Sequence, residues 1–297
     1  MTITRAASRP SIPVTSSQQP LAYAPSGTEQ AQSPQTPATK RQADTFEAGP
    51  VRVAQADTKK TKREELIDHI TRGNDPAIDA ALRKKIESAL KAVSDKELAQ
   101  LDKTGFRIFV GREVPPDLKD AGLVGPKLKS PAHYTPGIKV MLLNPDKAPT
   151  TSQIMHEVGH AKDDMMNDPK GLKPLAEYEG DKRTEMLEKS MPLASETDSK
   201  IKAAYQAYSD RFGSFPKDEH FHTPTQSDSY ARSDASEFYA EAFATFHGGS
   251  EEMQARLLDQ APEIYKLLEA DAKKQGLPVP DRTALKGKTN YTGLPNE

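Results

Sequence analysis

Ala77, Ile78, Ala81, Leu82, Ile86, Leu90 and Val93 recur three and four positions apart, the spacing that lines one face of an α-helix. Asp75-Pro76 precedes the run as an N-cap with proline in the first turn. A shorter helix is predicted over Glu64 to Arg72, ended by Gly73-Asn74-Asp75-Pro76, and Ser94-Asp95-Lys96-Glu97 reads as a capping box opening a third helix through Leu101. The pattern then turns to β: Phe106 to Val110 and Gly137 to Leu143 are short apolar runs bounded by Gly and Pro. Two strands cannot form a free-standing sheet, so they are expected to pack on helices.

Thr150 or Thr151 opens a helix to about Met166. Ser195 to Phe212 follows as a helix with Ile201, Ala204, Tyr205 and Tyr208 on one side. Ser233 or Asp234 caps another through His247, stopped by Gly248-Gly249, and helices near Glu251 to Leu258 and Pro262 to Gln275 close the pattern. The polar stretch 167–193 and the loop 213–229 interrupt this order. The expected fold is α+β, mostly helical, with a small sheet, over residues 61–278; residues 279–297 are expected to fray.

Composition separates the first 60 residues from the rest. They are rich in Ser, Thr, Pro, Gln and Ala and show no sustained period, so they are expected to be a disordered leader and a candidate export signal. No apolar stretch follows Met1 as a Sec signal requires, and none approaches the length that spans a membrane. A formal net charge of −2 gives no electrostatic argument for nucleic acid. The run Lys59-Lys60-Thr61-Lys62-Arg63 meets Glu64-Glu65 directly and reads as a solvated helix start. With no cysteine in the chain, disulfides, thiolate ligands and a thiol nucleophile are excluded.

The chemistry concentrates in His156-Glu157-Val158-Gly159-His160. On a helix, residues four apart share a face, so His156 and His160 present two imidazoles to one metal ion, and Glu157 lies beside them as a candidate general base. With 7 His in 297 residues, roughly one such chain in a hundred carries this motif by chance. Gly159 inside the helix costs about 1 kcal/mol relative to alanine, which implies close packing or room beside a metal. A catalytic zinc needs a third protein ligand. In the HExxHxxGxxH pattern the glycine and third histidine would fall on Asp163 and Met166, so that pattern fails. A downstream carboxylate remains. Glu237 and Glu241 lie one helical turn apart, the first placed to bind metal and the second to accept a hydrogen bond from His156; the alternative is two solvent-facing glutamates.

Together, His156 to Asp164 and the run Tyr230-Ala231-Arg232-Ser233-Asp234-Ala235-Ser236-Glu237-Phe238-Tyr239-Ala240-Glu241-Ala242-Phe243 resemble the catalytic domain of anthrax lethal factor and its relatives, which include bacterial Pro-Pro endopeptidases. That family pairs an HExGH helix with a helix of the form E-F-[FY]-A-E-A-F, preceded by a tyrosine, here Tyr230. The similarity covers roughly residues 60 to 275. It implies a zincin-like fold and one zinc ion per chain, held by His156, His160 and Glu237. It also implies Glu157 as base, Tyr230 as donor to the oxyanion or leaving group, and Glu241 behind His156. A peptide substrate is expected to bind extended along an edge strand at 138–143.

The implied activity is that of a zinc-dependent endopeptidase, a secreted bacterial effector or toxin cleaving a flexible segment of a host protein, exported without a Sec signal. The receptor-binding domains of lethal factor have no counterpart, and the long connection from His160 to Glu237 departs from the family. A Pro-Pro-type extracellular peptidase and a catalytically idle zinc fold that binds a partner are the alternatives. His220 and His222 form a second histidine pair, read as ordinary loop residues, while His69, His133 and His247 have no partner at ligand spacing; the roles of Asp163 and Asp164 stay open.

Overall fold

The computed structural model describes residues 60–72, 77–113, 128–136, 139–167, 193–212, 221, 230–286 and 288. The leader, most of the 167–193 stretch, the 213–229 loop apart from Phe221, His220, His222, and the end of the tail lie outside the described residues.

The first three helices are α1 (Lys62–Ile70), α2 (Ala80–Leu90) and α3 (Asp95–Lys103). Capping boxes start two of them: Thr61 with Glu64 opens α1, and Ser94 with Glu97 opens α3. α2 begins later than its periodicity suggests. Its N-cap is Asp79, whose side chain accepts the Leu82 N–H, so Ala77 and Ile78 precede the helix rather than occupying its first turn.

Three strands follow, β1 (Arg107–Val110), β2 (Ala132–Thr135) and β3 (Val140–Leu143), in the spatial order β1-β3-β2. β1 runs parallel to β3 and β2 antiparallel to it. This corrects the expectation of an edge strand at 138–143. β3 is the central strand, with its main-chain groups engaged by β1 on one side and β2 on the other, and it cannot pair with a peptide substrate. All four of its side chains are buried, as a strand covered on both faces requires. The edge beside the helices belongs to β2, a strand the apolar pattern did not predict.

The helix that carries His156 and His160 is α4 (Thr151–Asn167), opened by Thr150, whose Oγ accepts the Gln153 N–H while Gln153 accepts the Thr150 N–H. The expected single helix 195–212 is two, α5 (Ala194–Thr197) and α6 (Ser199–Arg211), separated by Asp198, whose side chain caps α6. α7 (Ala235–Gly248), α8 (Glu251–Gln260) and α9 (Pro262–Gln275) complete the domain. A last helix, α10 (Arg282–Leu285), falls within the stretch expected to fray. Leu285 is buried, and Arg282 makes a two-pronged ion pair with Glu269 on α9.

α4 is the central helix of the described part of residues 57–297. It packs most extensively on α7 and also on α2 and β2, and Ile154 through Asp164 are buried without a break. So polar a helix can be buried only if its side chains find partners. Lys162 pairs with Glu97 of α3 at 2.6 Å and Asp271 of α9 at 2.5 Å. Asp163 accepts the N–H and hydroxyl of Ser195 on α5, and Asp164 accepts the Tyr134 hydroxyl from β2.

Gly159 sets the separation of α4 from α7. A Cβ there would lie 3.0 Å from the Ala240 Cα and 3.3 Å from the Ala240 carbonyl oxygen, and backbone cannot yield as a side-chain tip can. Gly159→Ala gains about 1 kcal/mol of helix propensity but incurs an overpacking cost of about 1–3 kcal/mol. The expected result is a net loss of stability in denaturant unfolding; equal or higher stability would show that α7 shifts freely.

Candidate metal centre

α4 and α7 face each other so that His156 and His160 meet Glu237. His156 Nε2 lies 3.1 Å from His160 Nε2 and 3.1 Å from Glu237 Oε2, and His160 Nε2 lies 3.3 Å from Glu237 Oε2. These three groups can hold a metal ion, and they are the cluster of that kind found among the described residues. Glu237 reaches the site because Asp234 caps α7 through the Glu237 N–H at 2.9 Å, which fixes where the helix starts and where its third residue points.

Behind the metal-facing atoms, His156 Nδ1 lies 3.0 Å from Glu241 Oε1, with both side chains buried. The approach is too oblique for a well-aligned hydrogen bond, but the charge pairing holds. His160 Nδ1 lies 3.0 Å from Ser236 Oγ. Sequence reasoning found Glu241 and missed Ser236. A serine next to Glu237 gives no spacing signal until the helix phase and the ring position are known.

Glu157, on the same helix, accepts the Tyr134 main-chain N–H of β2 at 2.6 Å. Tyr230 stands in a one-turn 3-10 segment, Tyr230–Arg232, just before α7, with its ring centroid 5.7 Å from that of His156. The structure therefore brings together all six residues singled out from the sequence: His156, Glu157, His160, Tyr230, Glu237 and Glu241.

Among the described residues, the other histidines, His69, His133 and His247, stand apart from the cluster. His69 pairs with Asp102 at 2.7 Å, and His133 is exposed on β2. His247 sits against the rings of Phe243 and Phe246, where burial and the charge of Lys162 push its pKa down to about 3.

The electrostatics of the site follow from crowding carboxylates around two imidazoles. Burial alone would lower the His156 pKa, but the adjoining carboxylates of Glu237 and Glu241 outweigh it and raise it to about 10. Burial likewise works against ionised Glu237, yet the two histidines hold its carboxyl well below the usual range. Burial first, and then the charges of Glu237 and Glu157, push the Tyr230 phenol well above its ordinary value, so it stays protonated.

With no metal bound, the raised pKa of His156 would keep a proton on its ring, in competition with a metal ion for the same ring nitrogen. Because the folded pKa exceeds 6.5, the charged ring stabilises the metal-free fold fully below pH 6.5, and that contribution fades as pH rises toward 10. A metal ion must displace this proton, so apparent metal affinity is expected to rise about tenfold per pH unit over that window. Competition titrations at several pH values check this. A flat profile above pH 6.5 would mean that the ring is already neutral.

No protein-family model matches this chain, and no curated protein matches its sequence. Among the described residues, no helix is long and apolar enough to cross a membrane.

Proposed function

We propose that this protein is a zinc-dependent endopeptidase with a zincin-like catalytic domain, of the kind the lethal-factor resemblance implies. The observation that carries the reading is the triangle of donor atoms. Tetrahedral zinc with bonds of 2.0–2.1 Å separates its ligand atoms by about 3.3–3.4 Å, and the three edges here are 3.1, 3.1 and 3.3 Å. Two imidazoles and one carboxylate leave a fourth position open, the composition of catalytic sites rather than of closed structural ones. When bound, zinc supplies Lewis acidity, polarising a carbonyl and bringing the pKa of a coordinated water near 7.

The remaining roles belong to the chain's own groups. Glu157 takes a proton from the attacking water and passes it to the leaving amine, with its carboxylate held in place by the Tyr134 N–H. Tyr230 keeps its phenolic proton and donates a hydrogen bond to the oxygen on which negative charge develops. Glu241 fixes the His156 ring so that Nε2 faces the metal.

The substrate chain lies along β2, which among the described residues has no strand on its other side and whose Tyr134 N–H already points at the base. Main-chain pairing there selects an extended, flexible segment of another protein. The Ser/Pro/Gln-rich leader supports delivery as an exported effector.

The test is direct. Purified protein is expected to carry about one zinc per chain and to cleave internal bonds in a peptide library, with activity removed by a chelator and restored by zinc. Protein that binds no zinc, or that cleaves equally well without it, would sink the proposal.

A further inference from the structure

The two histidines are held from behind by different chemistry. His156 has the buried carboxylate of Glu241 at Nδ1, whereas His160 has the hydroxyl of half-buried Ser236. Ser236 and Glu237 are consecutive in the first turn of α7. One stands 3.0 Å from His160 Nδ1 and the other 3.3 Å from its Nε2. The start of α7 therefore grips a single imidazole by both ring nitrogens. An imidazole can offer the Nε2 lone pair to a metal only when its proton is on Nδ1, and that proton then needs an acceptor.

We infer that Ser236 is a positioning residue for metal binding: its hydroxyl accepts the His160 Nδ1–H and so holds the ring in the tautomer and orientation that present Nε2 to the ion. The inference rests on the zinc reading above. Asp234 belongs to the same device. By capping α7 it fixes the phase of the first turn, so that Ser236 and Glu237 reach the two sides of His160 together. A hydroxyl also adds no charge. The site already holds the carboxylates of Glu157, Glu237 and Glu241, and a fourth carboxylate in the Ser236 position would add like-charge repulsion before the metal arrives.

Full-length wild type, Ser236→Ala and Ser236→Thr are compared by zinc titration against a chromophoric chelator, with thermal unfolding of the three metal-free proteins alongside. Ser236→Ala is expected to weaken zinc binding about 10–100-fold, the usual cost of losing the hydrogen-bond partner of a ligand histidine. Ser236→Thr, which restores the hydroxyl, is expected to return the affinity to within about threefold of wild type, well inside that range. Metal-free stability is expected to be similar in all three. In zinc-loaded protein, the His160 Nδ1–H resonance is expected to be sharp in wild type and the threonine variant and broadened by exchange in the alanine variant.

If Ser236→Ala binds zinc as tightly as a stoichiometrically loaded wild type, the inference is wrong. It is equally wrong if the threonine variant fails alongside the alanine variant. A wild type that binds no zinc overturns the metal reading itself, a different outcome from either.

Discussion

Glu157→Gln is expected to lower kcat by about 10²–10⁴-fold while leaving zinc content at one per chain. Glutamine has nearly the same shape, and its amide oxygen can still accept the Tyr134 N–H that holds the wild-type carboxylate at 2.6 Å. It lacks the negative charge and basicity needed to take a proton from water. None of the three donor atoms of the metal triangle belongs to Glu157, so metal affinity has no direct reason to change. Because the glutamine keeps the Tyr134 N–H bonded, the edge of β2 proposed to hold the substrate stays in place, so KM is expected to move little compared with kcat. The measurement is steady-state cleavage of a peptide selected from the library, with zinc quantified on the same samples. A glutamine variant that cleaves at the wild-type rate would remove Glu157 from the chemistry. A variant that loses its zinc would place it in metal binding instead.

The site was more legible than the fold around it. Helix starts announce themselves locally: Ser94 with Glu97, Thr150 with Gln153 and Asp234 before Glu237 each satisfy main-chain donors within one turn, and all three are formed. The His156–His160 spacing is equally local. Strand order is not. β2 is four residues long, Ala132-His133-Tyr134-Thr135, and has no apolar run of its own. It is held by pairing with β3 and by two hydrogen bonds from Tyr134 to α4. One clue to the central place of β3 was present, since Val140-Met141-Leu142-Leu143 is continuously apolar where a half-exposed edge strand would alternate.

The burial of α4 was hidden for a related reason. Lys162, Asp163 and Asp164 look like the solvent face of a helix, yet each is buried against a partner remote in sequence: Glu97 and Asp271 for Lys162, Ser195 for Asp163, and Tyr134 for Asp164. Breaking a buried ion pair such as Lys162–Glu97 typically costs about 3–5 kcal/mol. These contacts form the rigid support on which two histidines can be held to within tenths of an ångström of a metal geometry.

Glu237→Gln carries the other large effect, and it falls on the metal rather than on the base. An amide oxygen is a poor substitute for a carboxylate ligand, and the variant removes a charge that the two histidines hold ionised well below the usual carboxylate range. The loss of zinc affinity is expected to exceed the roughly 100-fold typical of a residue that acts through a ligand. Its consequence for stability can be read without a substrate. At a zinc concentration a thousand times the wild-type Kd, binding stabilises the wild type by about 4 kcal/mol, whereas a variant weakened 100-fold retains only about 1.4 kcal/mol at the same concentration. Thermal unfolding with and without zinc is therefore expected to show a large shift for wild type and Glu157→Gln, and a small one for Glu237→Gln. A wild-type shift in Glu237→Gln would move the third ligand elsewhere. The pattern across the two variants is expected to separate the two proposed roles: proton transfer by the glutamate beside His156 on α4, and metal binding by the glutamate presented by the capped first turn of α7.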